Sequence, residues 1–338
     1  MQIKQIKLDK LPGSLIEIEG QIEWPDFEQH RAATLKNLGQ DLELPGFRKG
    51  HVPEPLLLKN IPEIRVLEEM AELAMPKIFL KILEEHQIDA IGRPEISITK
   101  LARENPLGFK IKIAVLPTVK LPDYKNIAAQ VRSDLKNSKK SDLDVSDEEL
   151  EKTIADIRKM RTPKDGAPPE LDDDFVKSLG QFKDVADFKT KLKDNIKLEK
   201  EAKEKEKQRI KIIEAILNKT PIELPKILVE SELDKMLYQM RGDIEQAGLK
   251  FDDYLKHLNK TEEVMRQELT KDAEKRAKLE LVLRALGLAE NIKVPEADIK
   301  AEVEKLIKLY KDADPARARA YVENILQNEK IWTFLENQ

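Results

Sequence analysis

The chain of 338 residues contains no cysteine, so disulfide frames and thiolate chemistry are excluded. Aromatic residues make up only 5% and glycines number 12, too few for a glycine-rich phosphate loop or an aromatic-lined catalytic pocket to stand out. The four histidines, His30, His51, His86 and His257, share no metal-ligand spacing, and no HExxH occurs. The acidic run Asp172-Asp173-Asp174 lacks the spacing and glycine of a calcium loop and reads as the acidic first turn of a helix. No apolar run approaches the ~20 residues that span a bilayer. The opening MQIKQIKLDK has no apolar core of a secretory signal, so a cytoplasmic protein without membrane contact is expected. Net charge is -4, which excludes a broadly basic nucleic-acid binder; any RNA contact must be local. No metal, cofactor or nucleotide site is expected.

What is present in excess is charge, at 37% against the usual quarter, beside 40% hydrophobic residues. That pairing suits long helices with wide solvated faces. Residues 1–118 read as α+β. Alternating IKQIKLD and SLIEIEGQI flank Pro12-Gly13 as a hairpin, and PEISITKL with LGFKIKIAVL forms a second. Pro25 suits the first turn of a helix running to about Asp41, with Phe27, Ala32, Leu35 and Leu38 as its stripe. A short helix is expected near 54–60. A longer one, over 63–87, carries Ile64, Leu67, Ala71, Ala74, Ile78 and Ile82 on one side. Strands flanking helices point to an antiparallel sheet with helices on one face.

Residues 119–169 read as a linker. LPDYKNIAAQVRSDLKNSKKSD is polar without clear period; one helix follows, opened by a capping box of Ser146 and Glu149. RTPKDGAPPE is then a breaker-rich joint. Residues 170–338 are helical in pattern. Within them 188–218 predicts one helix of roughly 45 Å, polar all round over 199–209 and so a strut.

Between the first helices lies ELPGFRKGHVP, residues 43–53. Gly46 and Gly50 open backbone angles closed to other residues, and Pro45 and Pro53 stiffen the flanks. The tip then presents Phe47 beside Arg48 and Lys49. A ring that fills a pocket and cations that fork onto carboxylate or phosphate make a docking chemistry. Spacing alone leaves equally open that Phe47 folds back into its own core.

GFRKGHVP, residues 46–53, resembles the ribosome-docking signature of the trigger factor family, the bacterial ribosome-associated chaperones. PPELDDDFVKSLG (168–180) is similar to the segment that opens that family's chaperone domain, and 248–294 is similar to its helical arm region. The resemblance implies an α+β ribosome-docking domain followed by a mostly helical chaperone domain with extended arms. It implies docking at the exit tunnel through Gly46, Phe47, Arg48, Lys49, Gly50 and Pro53, against a ribosomal protein and adjacent rRNA. It implies ATP-independent holding of nascent and unfolded polypeptides, and weak homodimerisation. Met236, Leu237, Met240, Leu306, Leu309, Tyr310, Ile331, Trp332 and Phe334 are candidate client contacts, although apolar residues at helical spacing are more often core. The family's prolyl isomerase domain, of roughly 100 residues, is absent, because IRKMRTPKDG runs straight into APPELDDDF. No enzymatic activity is therefore expected. The alternative is a ribosome-independent cytosolic holdase or assembly chaperone with the same helical arms.

Overall fold

Pro12 and Gly13 turn the first strand back on itself. Gly13 (φ +75°) and Ser14 (φ +54°) both take left-handed backbone there. The computed structural model describes residues 3–41, 53–138, 143–162, 166–310 and 312–338. Strand β1 (Ile3–Leu11) pairs antiparallel with β2 (Leu15–Ile22), and β3 (Ala90–Lys100) with β4 (Leu107–Val115). β2 and β4 join the two hairpins antiparallel, giving the order β1-β2-β4-β3.

One face of this sheet is apolar because the alternation in β2 and β4 puts Ile18, Ile22, Phe109, Ile111 and Ile113 on the same side. The Phe109 ring lies over Gly20, its register partner; a Cβ there would stand 2.7 Å from the ring. The α+β region holds helices α1 (Trp24–Glu28), α2 (Arg31–Asp41), α3 (Glu54–Asn60) and α4 (Glu63–His86). Val66, Met70, Ala74, Ile78 and Ile82 of α4 join the same core as the sheet face. Of the six positions expected on the apolar side of α4, five are buried; Ile64, in the first turn, is exposed.

The helix expected from Pro25 to Asp41 is two. His30 closes back on Phe27 (N···O 3.1 Å), ending α1 before α2 begins. Phe27 is fully buried against the edge of Trp24, and Leu35 joins the core, while Ala32 faces solvent.

The chain divides into two compact units, 1–119 with 222–280, and 120–221 with 281–338. In the first, α9 (Lys226–Gln246), α10 (Phe251–His257) and most of α11 (Glu262–Ala289) join the sheet region. The Gly13 amide donates to the Glu223 carboxylate (3.1 Å) and the Ser14 hydroxyl to the Glu223 carbonyl (2.8 Å). Gly92 (φ +77°) admits the Ile227 side chain, which would lie 2.1 Å from any Cβ there. Leu237, Phe251, Leu255 and Met265 form a separate small core, with Arg241 over the Phe251 ring.

The second unit holds α5 (Tyr124–Ser138), α6 (Asp147–Met160), α7 (Asp173–Leu179), α8 (Val185–Asn218), the end of α11, α12 (Glu296–Leu309) and α13 (Pro315–Glu336). Helix α5 occupies the stretch read as polar and aperiodic. Asp123 accepts from the Asn126 amide at its start, and Tyr124, Ile127, Ala128, Val131 and Leu135 fall at helical spacing and are buried or half-buried, so a period is present among the polar residues. The α6 capping box is formed in both directions. Helix α8 is about 50 Å long at 1.5 Å per residue. Its polar middle is tied by Arg209, which forks onto Glu329 (2.6 and 3.0 Å) and also bonds Glu336, both of α13.

Candidate docking site and client surfaces

Residues 42–52 run between the end of α2 and the start of α3. Of the six expected docking residues, Gly46, Phe47, Arg48, Lys49 and Gly50 lie outside the described residues; Pro53 lies within them. Pro53 is extended (φ -61°, ψ 142°) and starts α3, with Pro55 in the first turn, where a missing amide costs nothing. The two stems meet. Gly39 of α2 approaches Leu57 of α3 so closely that a Cβ would sit 3.0 Å from the leucine methyl. Leu35 and Leu57 are buried in the sheet core.

Helix α2 is clamped to α4 by a bidentate pair. Arg31 Nη1 and Nη2 donate to Glu63 Oε1 (2.7 Å) and Oε2 (2.8 Å), and the Arg31 side chain is only 16% exposed. The Arg31 hydrogen bonds hold the Glu63 carboxyl below its usual range. Beside it, His30 is buried with Nε2 lacking a hydrogen-bond partner, and Thr34 Oγ1 is likewise unpaired. Burial, with Lys77 adding, pushes the His30 pKa below 6.5. The imidazole is therefore neutral in the folded state.

That burial has a measurable sign. As pH falls, the unfolded chain takes up the His30 proton before the folded one does. The contribution is thus complete above the unfolded value of 6.5 and lost as pH falls below it. Between about pH 7.5 and about pH 5.5, above the carboxylate range, the urea midpoint read by Trp24 fluorescence should fall. His30→Met should flatten that slope; an unchanged slope would show that His30 does not cause it.

The candidate client contacts divide. Leu237 and Ile331 are core residues. Trp332 lies beneath the Arg209 guanidinium and Phe334 beside the Lys125 ammonium, both half-buried. Leu306 is half-buried, whereas Leu309 (74% exposed) and Tyr310 face solvent. Met236 and Met240 line an open cavity of about 480 Å³ with Ile244, Leu249 and Tyr254, edged by Asp243 and Arg276. Tyr238, 83% exposed on the same helix, is not among the contacts expected from the sequence, and only its exposure marks it. Leu288 continues the helical spacing of Leu269, Ala273, Ala277 and Leu281, yet it is 72% exposed. Among the described residues no three His, Asp or Glu side chains are placed to hold a metal, and no helix is long and apolar enough to cross a membrane.

A sheet-and-helix region with α2 and α3 pinned on either side of residues 42–52, and long charged helices with small separate cores, define a binding architecture. Two family models match in order. The model described as bacterial trigger factor protein covers residues 2–157, and the one described as its C-terminus covers 184–336. The chain belongs to the trigger factor family. Curated trigger factors similar to it include that of Halothermothrix orenii, 24% identical over 94% of this chain and 93% of the relative. That of Bacillus cytotoxicus is 23% identical over 90% and 91%. A solved trigger factor chaperone structure has the same fold, at TM-score 0.56 and 15% identity over 98% of this chain and 99% of that one.

The alignment to the Halothermothrix relative is 404 positions long against 338 residues here, so that relative carries stretches this chain lacks. Between the two family matches lie only residues 158–183. That is far below the ~50 residues of the smallest ordinary domain.

Proposed function

We propose that this chain is an ATP-independent chaperone that docks at the ribosomal exit tunnel and holds nascent polypeptides on its helical surfaces. The observation that carries this reading is the ordered pair of family matches across nearly the whole chain, with GFRKGHVP between the end of α2 and the start of α3. Residues 1–118 are the docking domain, 119–169 the linker, and 170–338 supply the client-holding helices. Gly46, Phe47, Arg48, Lys49, Gly50 and Pro53 form the contact, against a ribosomal protein at the exit and nearby rRNA. The protein works in the cytoplasm, partly bound to ribosomes, and self-associates weakly when free.

Clients are held by many weak contacts. Tyr238, Leu249, Leu309 and Tyr310 are exposed, and Met236 and Met240 adapt to varied shapes. Dispersed contacts of this kind release without a motor. On this reading the chain lacks prolyl isomerase activity, which the short stretch 158–183 between the two family matches supports.

Dilution of a denatured enzyme into buffer tests this. The chain should suppress light scattering at near-stoichiometric amounts with no nucleotide present. It should leave the cis–trans rate of a short proline peptide at its uncatalysed value. A requirement for ATP, or a clear rate gain on the peptide that is lost on unfolding, would contradict the reading.

A further inference from the structure

The sheet carries an unfilled place beside α4. Register puts Ile18, Ile111 and Ile96 in one row across the apolar face, and Gly20, Phe109 and Ile98 in the next. The first two members of each row are buried under the helices; Ile96 and Ile98, on the outermost strand, remain 39% and 38% exposed. Between them and α4 runs an open groove of about 630 Å³, lined by Glu68, Ala71, Glu72, Met75, Pro76, Ile96, Ile98 and Leu101.

The chemistry of that groove is one-sided. Its floor is apolar, and its charged lining is Glu68 and Glu72 alone. Pro76 carries no amide, so it offers no helical donor to the Glu72 carbonyl four residues back, on the same wall. Arg65 approaches Glu68 only to 3.9 Å in an exposed pair, which neutralises little. The lining thus combines apolar contact with hydrogen-bond acceptors and negative charge. The edge beside it is open too. β3 pairs only with β4 among the described residues. Pro94 interrupts its first half, which leaves Glu95–Lys100 as the stretch with exposed backbone.

We infer that this groove takes an extended client segment, added as a strand on the β3 edge, whose every second side chain points into the groove and whose groove-facing positions mix apolar residues with lysine or arginine. Ile96 and Ile98 receive the apolar side chains, and Glu68 and Glu72 the cations. The inference rests on the chaperone reading and narrows it, because it assigns basic, strand-forming stretches of clients to the sheet region and leaves general apolar contacts to the helices.

The probe is a short fluorescein-labelled peptide in which every second residue is by turns valine and lysine, with threonine between them, followed by anisotropy on the full chain, beside the same peptide with glutamate for lysine. The lysine peptide should bind and the glutamate peptide should not. Glu68→Lys with Glu72→Lys should weaken the lysine peptide about tenfold or more, with circular dichroism unchanged. N-methylation of the alternate amides on one peptide edge should abolish binding, and of the other set should not. Equal binding of both peptides, or no loss in the double variant, overturns the inference, as does indifference to N-methylation. Concentration-dependent self-association that the double variant loses, without peptide binding, would assign the groove to a second copy and overturn it as well. Aggregation suppression by the wild type is read in parallel. If it fails, the chaperone reading falls; if it holds while the peptides do not discriminate, only the groove assignment falls.

Discussion

Phe109→Ala will cost the α+β region about 3–5 kcal/mol. The ring is fully buried on central strand β4, between β2 and β3, and fills the space left by Gly20. Alanine cannot reach the Gly20 floor, and the Gly20 backbone cannot move in without breaking its pairing to β4. The cavity therefore stays. Small domains are stable by only about 5–15 kcal/mol, so the loss is a large fraction of the total. Trp24, whose ring meets Phe27 edge-on in the same core, reports this region, provided that Trp332 is first changed to phenylalanine. The urea midpoint of Trp24 fluorescence should fall steeply. Leu80→Ala, on the exposed side of α4, should shift it by no more than about 0.5 kcal/mol. Equal effects of the two substitutions would mean that Phe109 is not the centre of the core.

Much of this fold was legible because its elements carry strong local signals. The two hairpins follow from period-two alternation around breakers, and α4 from an apolar stripe that the structure buries at five of six positions. The α6 capping box lies where Ser146 and Glu149 place it. What escaped was set by tertiary contact. The break between α1 and α2 exists because Phe27 turns into the sheet core, and no proline or glycine marks it. Helix α5 carries only a narrow stripe, Tyr124, Ile127, Ala128, Val131 and Leu135, among many polar residues. Its role comes from neighbours distant in sequence: Arg132 donates to the carbonyls of Glu336 and Gln338, and Tyr124 to Glu290, with burial and that carboxylate pushing the Tyr124 pKa up to about 12. The pairing of 1–119 with 222–280 rests on single contacts such as Ser14 with Glu223, which no periodicity encodes. The groove beside β3 was hidden for the same reason, since PEISITKL alternates like any half-buried strand. Only its place at the sheet edge leaves Ile96 and Ile98 uncovered.

The proposed docking residues carry the second large effect. On that proposal, burial of the Phe47 ring in a ribosomal pocket would contribute about 1.5–3 kcal/mol. Arg48 and Lys49, at the rim, add up to about 1 kcal/mol each and less as salt rises. Removing all three should therefore weaken the contact by roughly tenfold to a few thousandfold, at 1.4 kcal/mol per tenfold. The stems need not change. Gly39 against Leu57, Pro53 at the start of α3 and the Arg31–Glu63 fork lie outside the substituted positions.

Co-sedimentation with bacterial ribosomes, at low and moderate salt, puts this to the test. The wild-type chain is compared with a Phe47→Ala, Arg48→Ala, Lys49→Ala variant of unchanged circular dichroism and unchanged Trp24 unfolding. The account predicts that the wild type pellets with ribosomes, less so at higher salt, and that the variant stays in the supernatant. Equal pelleting of both would place the contact elsewhere on the chain. A wild type that does not pellet would contradict ribosome docking itself and leave a chaperone that acts free in solution.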